Sequence, residues 1–444
     1  MSETKLKYFG TDGIRREAGF FTPAFLQKVA KGLVNYGGDN IKVLLGGDTR
    51  ESSEEIIQTL SEAFETLGIE YGTVGVLPTP AIDYAFYEMG FDFAIDVTAS
   101  HNPYTDNGLK FFERGKNCGE SISEAGCLAL EAAIENEHEF ETVATSLRED
   151  LHDEAVSLYR EHLLDYINRE DLSGLKIGMD CADGATSVIN KSALEALGAE
   201  VTLIHADSSY GKNINDGCGS THIEAITELV KNGEYDFGIA FDGDGDRALL
   251  VDAEGNLVDG DQIIVIVAEA LKLKSVVVTV SCNQGILNWA KDNNIDIEVT
   301  PVGNHHVYAA MHEKGALVGG EQNGHIHLPH ETCSDGLLVS MMIAKILKDS
   351  GTSLKDLASS MTKLPQAETK ISADPKQKEL LKSSEEVKKI LIKYDAEFKN
   401  FGGRILVRPS GTENIVRIVV WGENLGKITE LMNNLASELE QAIA

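Results

Sequence analysis

Three acids stand at every second position in Phe237-Gly238-Ile239-Ala240-Phe241-Asp242-Gly243-Asp244-Gly245-Asp246-Arg247. Glycines separate Asp242, Asp244 and Asp246, so like charges crowd a loop that follows an apolar strand. A hard divalent cation offsets such crowding, and oxygen-only ligands select Mg2+, Mn2+ or Ca2+. An EF-hand is excluded by register. Counted from Asp242, the glycine position holds Arg247 and the final glutamate position holds Ala253. Three aspartates leave the ion open to a phosphate oxygen, which favours Mg2+. The competing interpretation, an acidic turn in solvent, fits less well with aspartates that alternate after a buried strand.

A second stretch, Thr98-Ala99-Ser100-His101-Asn102-Pro103, follows the apolar run Phe93 to Val97. Small polar residues and a proline stop that strand, which predicts Ser100 on a tight, exposed turn. A serine so placed can act as a nucleophile or carry a phosphate. Equally, Ser100 and Asn102 can cap a turn by bonding local backbone. Lys110 follows within reach of the same substrate. Gly319-Gly320-Glu321-Gln322-Asn323-Gly324-His325 displays groups that bond sugar hydroxyls, and His325 can move a proton. Arg408-Pro409-Ser410-Gly411-Thr412-Glu413-Asn414, with Arg417 beyond it, offers guanidinium, hydroxyl and backbone N–H groups. It suits a phosphate nest, or equally a hairpin turn with no ligand, and lacks the P-loop lysine and spacing. Arg15 and Arg16 close a Gly-Thr-Asp-Gly turn and can clamp a phosphate, or can simply be solvated. The remaining histidines, His305 and His306 included, are assigned to structure or surface.

These loops need elements to hold them. A strand from Ile41 to Leu45 ends in Gly46-Gly47-Asp48-Thr49-Arg50; a helical spacing of Ile56, Ile57, Leu60, Ala63, Phe64 and Leu67 follows, then Gly68 as a cap and an extended Ile69 to Val76. The same order recurs at Leu175 to Ile204 around Gly184 and Gly198, and at Val276 to Val299 around Gly285 and Asn294. The spacing is too long for a solenoid and predicts three related α/β domains with mixed sheets. Glu135 to Asp153 is acidic, a helix or linker. After Pro365 a Lys- and Glu-rich stretch leads to strands Arg404 to Val407 and Ile415 to Trp421 and a helix from Leu425 to Ile443, a C-terminal α+β domain. The expected divisions are 1–153, 154–254, 255–365 and 366–444.

A chain of 444 residues exceeds a single core. A hydrophobic content of 42% with 25% charged residues is that of an ordinary globular protein. Its net charge of −32 opposes nucleic acid and anionic membrane partners, so an anionic substrate needs local basic groups. The six cysteines show no metal-ligand spacing and suit a reducing compartment. No apolar leader or membrane-length stretch occurs, and a cytoplasmic protein is expected.

With these loops in place, the sequence resembles the α-D-phosphohexomutase superfamily over essentially all 444 residues. TASHNP, DGDGDR, GGEQNGH and RPSGTEN occur in the superfamily's order, and the FGTDGIR opening and the glutamine of GGEQ are most similar to its glucosamine-phosphate branch. The resemblance implies four domains around a central cleft carrying, in order, the phosphoserine, metal, sugar and phosphate loops. Ser100 would be the phosphoserine, and Asp242, Asp244 and Asp246 would hold one Mg2+ per chain together with its phosphate. Glu321 and Asn323 would read the sugar, while Arg15, Arg408, Ser410, Gly411, Thr412 and Arg417 would hold substrate phosphate. The implied activity interconverts glucosamine 6-phosphate and glucosamine 1-phosphate through a 1,6-bisphosphate that serves as intermediate or activator, for amino-sugar nucleotide synthesis. Arg247 would stabilise transferring charge, and His101, Lys110 or His325 would carry the hydroxyl proton.

Four departures from the superfamily pattern stand out: Arg16 for glycine, Asn323 for serine, Asn304-His305-His306 for Asp-Arg-Tyr, and Cys333-Ser334 for Thr-Gly. Three of them fall in the sugar-recognition region, which keeps glucose or mannose phosphate as an alternative substrate. A binding protein without catalysis and a metal-dependent phosphatase are the readings from other classes. The expected partner is a hexose or hexosamine phosphate, and the expected state a monomer or homodimer.

Overall fold

The computed structural model describes residues 6–10, 13–38, 40–115, 119–136, 148–331, 333–410 and 414–444. Each recurrent unit is a pair of parallel strands joined through a helix. Lys42–Gly47 pairs with Glu70–Val76, Lys176–Asp180 with Glu200–Ile204, and Ser275–Thr279 with Asp296–Thr300. The connecting helices are Glu51–Leu67, Asn190–Ala196 and Gln284–Asp292. In the first of these, Ile56, Leu60, Ala63 and Phe64 form the buried face, as their spacing requires. The return to extended chain passes through left-handed residues in all three units: Gly68 at φ 69°, Gly198 at φ 90° and Asn294 at φ 53°.

The first sheet runs Ile14–Glu17, Asp106–Arg114, Phe93–Val97, Lys42–Gly47, Glu70–Val76, Arg148–Asp150, with Gly119–Ser121 beside Asp106–Arg114. Its first two pairings are antiparallel and the next three parallel, so the sheet is mixed. The acidic stretch from Glu135 thus yields a strand on this sheet and then the helix His152–Tyr166; residues 137–147 lie outside the described residues. The second sheet continues from Phe237–Phe241 into Ala248–Asp252 and Leu257–Val258, and the third closes with the short hairpin Gly319–Gly320 and Ile326–His327. Both are mixed as well.

The last unit is an antiparallel three-stranded sheet covered by helices, and its outer strand Gln366–Ser372 came from the stretch whose Lys- and Glu-rich composition hid it. One face of that strand is polar, and only Ile371 is fully buried. Apolar packing is continuous through the first three units, from Leu44 and Phe86 through Tyr159, Ile177 and Phe237 to Ile264, Val278 and Ile343. The last unit encloses its own core around Phe398, Ile418 and Leu435. Among the described residues no helix is long and apolar enough to cross a membrane.

Candidate active site

Ser100 lies in the turn three residues beyond the buried strand Phe93–Val97, at φ 53°. The turn is not exposed as the sequence suggested: Ser100 is 0% accessible. The reason lies outside its neighbourhood, because loops from two other segments cover it. Asn215 Nδ2 donates to the Ser100 carbonyl at 2.9 Å, and Gly243 lies so close that a Cβ there would stand 2.7 Å from the same oxygen. Below, the buried guanidinium of Arg50 donates to the carbonyls of Ser100 and Asn102, both at 2.8 Å, and of Asp106 at 3.0 Å. Asp48 fixes that guanidinium through Nε at 2.8 Å and accepts from Thr98 Oγ1 at 2.7 Å. Arg50, Asp48 and Asn215 had no role in the sequence reading. The strand-ending Gly-Gly-Asp-Thr-Arg was visible, but its contacts 50 residues away were not.

Ser100 Oγ donates to Asp242 Oδ2 at 2.7 Å and lies 3.3 Å from His101 Nδ1. Asp242, Asp244 and Asp246 are buried, and one carboxylate oxygen of each lies within 4.8 Å of the others. Burial, then the charges of Asp244 and Asp246, push the Asp242 carboxyl well above the usual carboxylate range. Burial also acts against ionised Asp246, yet Lys110, His325 and Arg247 together hold it well below that range. Asp244 Oδ1 and Asp246 Oδ1 have no hydrogen-bond partner among the described residues. Buried, under-satisfied carboxylates on one glycine-rich loop form a donor set that fits a hard divalent cation, and the triad can hold a metal.

Two cations flank the triad. Lys110 Nζ bonds Asp244 Oδ2 at 2.8 Å and Asp246 Oδ2 at 2.6 Å. Arg247 Nε lies 3.6 Å from Asp242 and 3.7 Å from Asp246, and its Nη1 is 3.1 Å from His101 Nδ1. Burial, Arg247 and Arg15 lower the His101 pKa to about 3, so the ring is neutral and accepts from Arg247. Arg15 reaches this position from the neighbouring strand, where it stands opposite Gly108.

The Glu321 loop is fastened to the aspartate loop. Arg247 and His325 form an isolated antiparallel bridge, and Ser334 Oγ donates to the Asp246 carbonyl at 2.6 Å. His325 Nε2 lies 3.4 Å from Asp246 and Nδ1 3.9 Å from Glu321. Glu321 Oε1 accepts from Gly303 N at 3.2 Å, which brings the altered Asn304-His305-His306 segment against this loop. Exposed Asn323 turns partly inward, its Nδ2 3.4 Å from Glu321 Oε2 and its Oδ1 accepting from His325 N at 3.2 Å.

In the last unit Arg408 stands directly opposite Arg417, and Lys370 opposite Arg417 on the other side, so three cations share one face of the sheet. Burial and then Arg417 lower the Arg408 pKa, while the charge of Glu321 raises it; the Glu321 loop meets this unit where Gln322 Nε2 donates to Gln366 Oε1 at 3.2 Å. Ser410 N donates to Ile415 O at 2.9 Å, and Lys378 Nζ donates to Ser410 O at 2.9 Å. Gly411 and Thr412 lie outside the described residues.

Four phosphoglucomutase/phosphomannomutase domain models match in order: alpha/beta/alpha domain I over residues 6–140, domain II over 157–255, domain III over 259–364 and the C-terminal domain over 368–438. The chain belongs to this family, the α-D-phosphohexomutases, and is an isomerase of that class. It is 37% identical to the phosphoglucosamine mutase of Deinococcus deserti over 449 residues, covering 99% of each chain. The phosphoglucosamine mutase of Caldicellulosiruptor saccharolyticus is also 37% identical, with 99% of this chain and 100% of that protein covered. Among solved structures, a phosphoglucomutase/phosphomannomutase family protein from Burkholderia thailandensis superposes with a TM-score of 0.76 at 20% identity, covering 97% of both chains. Aspergillus fumigatus N-acetylphosphoglucosamine mutase, in complex with GlcNAc-6P and magnesium, gives 0.71 at 17% identity over 100% of this chain and 97% of that one.

Proposed function

We propose that this phosphohexomutase interconverts glucosamine 6-phosphate and glucosamine 1-phosphate, with Ser100 as the phosphate carrier. The observation that carries the reading is the hydrogen bond of 2.7 Å from Ser100 Oγ to Asp242, which sets a hydroxyl at the edge of a buried triad of carboxylates. The relatives named phosphoglucosamine mutase support the amino sugar.

In the forward half-reaction a sugar hydroxyl oxygen forms a bond to the phosphorus on Ser100 while the Oγ–P bond breaks and the hydroxyl proton leaves. The bisphosphate turns over, and its other phosphate returns to Ser100 in the mirror-image step. Asp242, Asp244 and Asp246, with the Ser100 phosphate, would hold Mg2+, which when bound supplies positive charge to phosphate oxygens. Arg247, poised between Asp242 and His101, adds a guanidinium at the same place.

Among the proton carriers, Lys110 donates to two carboxylates and the neutral His101 is a weak acceptor. His325, between Asp246 and Glu321, has the placement best suited to the task. Glu321 faces an amino group with a carboxylate, a charge-assisted contact that a neutral hydroxyl does not match. The row Arg408, Arg417 and Lys370 receives the phosphate that is not reacting, at either end of the sugar. The domain divisions at 153, 254 and 365 assign one of these loops to each unit.

The test compares kcat/KM for the 6-phosphates of glucosamine, glucose and mannose, with intact mass measured alongside. Glucosamine 6-phosphate is expected to be preferred, with one phosphate on the wild type and neither phosphate nor turnover in Ser100→Ala. Preference for glucose or mannose overturns the sugar; normal turnover by Ser100→Ala overturns the carrier.

A further inference from the structure

Two groups of His, Cys, Asp or Glu side chains among the described residues are close enough to share a metal ion, and only one is the aspartate loop. The other is Asp180, His205 and Cys218, whose ligand atoms all lie within 4.8 Å of one another. Asp180 ends the strand Lys176–Asp180 and His205 directly follows the adjacent parallel strand Glu200–Ile204, so both sit at the carboxyl edge of the second sheet. That edge is where open α/β sheets receive ligands. Cys218 arrives from the loop that precedes Gly219–Thr221.

We propose that Asp180, His205 and Cys218 form a second cation site, suited to a thiophilic divalent ion of the Zn2+ class. The donor set is one oxygen, one nitrogen and one sulfur, which distinguishes it from the oxygen-only aspartate loop that suits Mg2+. Asp180 Oδ2 and His205 Nδ1 are already 3.0 Å apart. Zinc bonds of about 2.0–2.3 Å need ligand atoms roughly 3–4 Å from one another, so the cluster closes on an ion with small side-chain movement. Asp180 is oriented by Ala182 N, which donates to its Oδ1 at 3.0 Å. Asp180 and Cys218 are fully buried, while the His205 side chain is 34% exposed and supplies the entry path. Three protein ligands leave the fourth position to water.

The site is coupled to the serine turn through a short piece of chain. Three residues before Cys218, Asn215 donates to the carbonyls of Ser100 at 2.9 Å and Asn102 at 3.1 Å. One residue after it, Gly219 lies against the Phe241 carbonyl, where a Cβ would be 2.4 Å away, and Phe241 leads directly into the aspartate loop. An ion that draws Cys218 toward Asp180 therefore shifts the loop that covers Ser100, and slows turnover without displacing Mg2+.

Co2+ titrated into the full chain, kept in excess Mg2+, tests this directly. A thiolate-to-cobalt charge-transfer band saturating at a single equivalent is expected, removed by Zn2+ and retained in Asp244→Asn. Cys218→Ser should lack the band. His205→Gln, altered at the more exposed ligand, should bind Co2+ more weakly by upwards of the roughly 10–100-fold typical of losing a supporting partner. Zn2+ should inhibit the Mg2+-loaded wild type about tenfold more strongly than Cys218→Ser. Circular dichroism identical to wild type secures the comparison. Absence of the band in folded wild type, or a band that survives Cys218→Ser, overturns the proposal.

Discussion

Arg50 Nη2 donates to the main-chain carbonyl of Ser100 at 2.8 Å, and the same guanidinium holds the carbonyls of Asn102 and Asp106. One side chain thus fixes the backbone from Ser100 to Asp106, including a serine at positive φ. Arg50→Lys keeps the charge but loses the planar fork that meets several carbonyls at once. It should lower kcat by about 10–100-fold with a smaller change in KM, the pattern of misplaced reacting groups. Steady-state kinetics with a melting curve separates this from unfolding.

Chelation tests the aspartate loop. EDTA should stop turnover, and Mg2+ should restore it better than Ca2+, because a compact site with few protein ligands suits the smaller ion. Asp244→Asn should weaken metal binding, so that half-maximal turnover needs more Mg2+. For the wild type, Mg2+ at about 100 times its Kd should raise stability by about 2.7 kcal/mol. Normal turnover of metal-stripped protein would show that the loop serves structure only.

Asn323 acts through its neighbour. Its amide nitrogen points to Glu321 and its carbonyl accepts from His325 N, so it steers a carboxylate more than it reaches for sugar. Asn323→Ser keeps a group able to bond His325 N but shortens the reach to Glu321. The expected change in kcat/KM is about tenfold or less, the scale of roughly one hydrogen bond. It should be larger for glucosamine 6-phosphate than for glucose 6-phosphate. Equal effects on all three sugars would remove Glu321 from amine recognition.

The sequence exposed the candidate loops better than their surroundings. Aspartates alternating after Phe241 and glycines closing the helices are local patterns, and they survive without knowledge of the fold. The burial of Ser100 is different in kind, because it depends on Asn215 and Gly243 arriving from distant segments. The strand Gln366–Ser372 was masked by its polar face, on which Lys370 lines up beside Arg417 and Arg408. Arg50 was visible at the end of a strand, yet nothing local marks a buried arginine as the clamp of a turn elsewhere.

A pH dependence follows from Asp335, which caps the helix Gly336–Ser350 through Leu338 N and accepts from Tyr159 OH at 2.8 Å. Burial raises its pKa to about 6, against the lowering effect of Leu338 N and Tyr159. The folded state therefore holds this proton more tightly than the unfolded chain. Its contribution is complete below about pH 4 and is lost as pH rises through about 6, a loss of about 3 kcal/mol. Asp335→Asn keeps a good cap and removes the titration. Urea unfolding at about pH 4.5 and 7.5 should show the variant gaining on the wild type at the higher pH; parallel curves would refute the assignment.

Because the apolar interior runs unbroken through the first three units while the last encloses its own, denaturation has two natural cooperative blocks. Residues up to about Met361 should melt together through that shared interior, to which the first sheet adds a core of its own around Val29, Phe64 and Ile95. The final block can open alone at lower cost, and its amides should exchange sooner than those of Phe237–Phe241. The hairpin carrying Arg408 and Arg417 is thus mounted on the part of the chain that can loosen without disturbing Ser100 or Asp242.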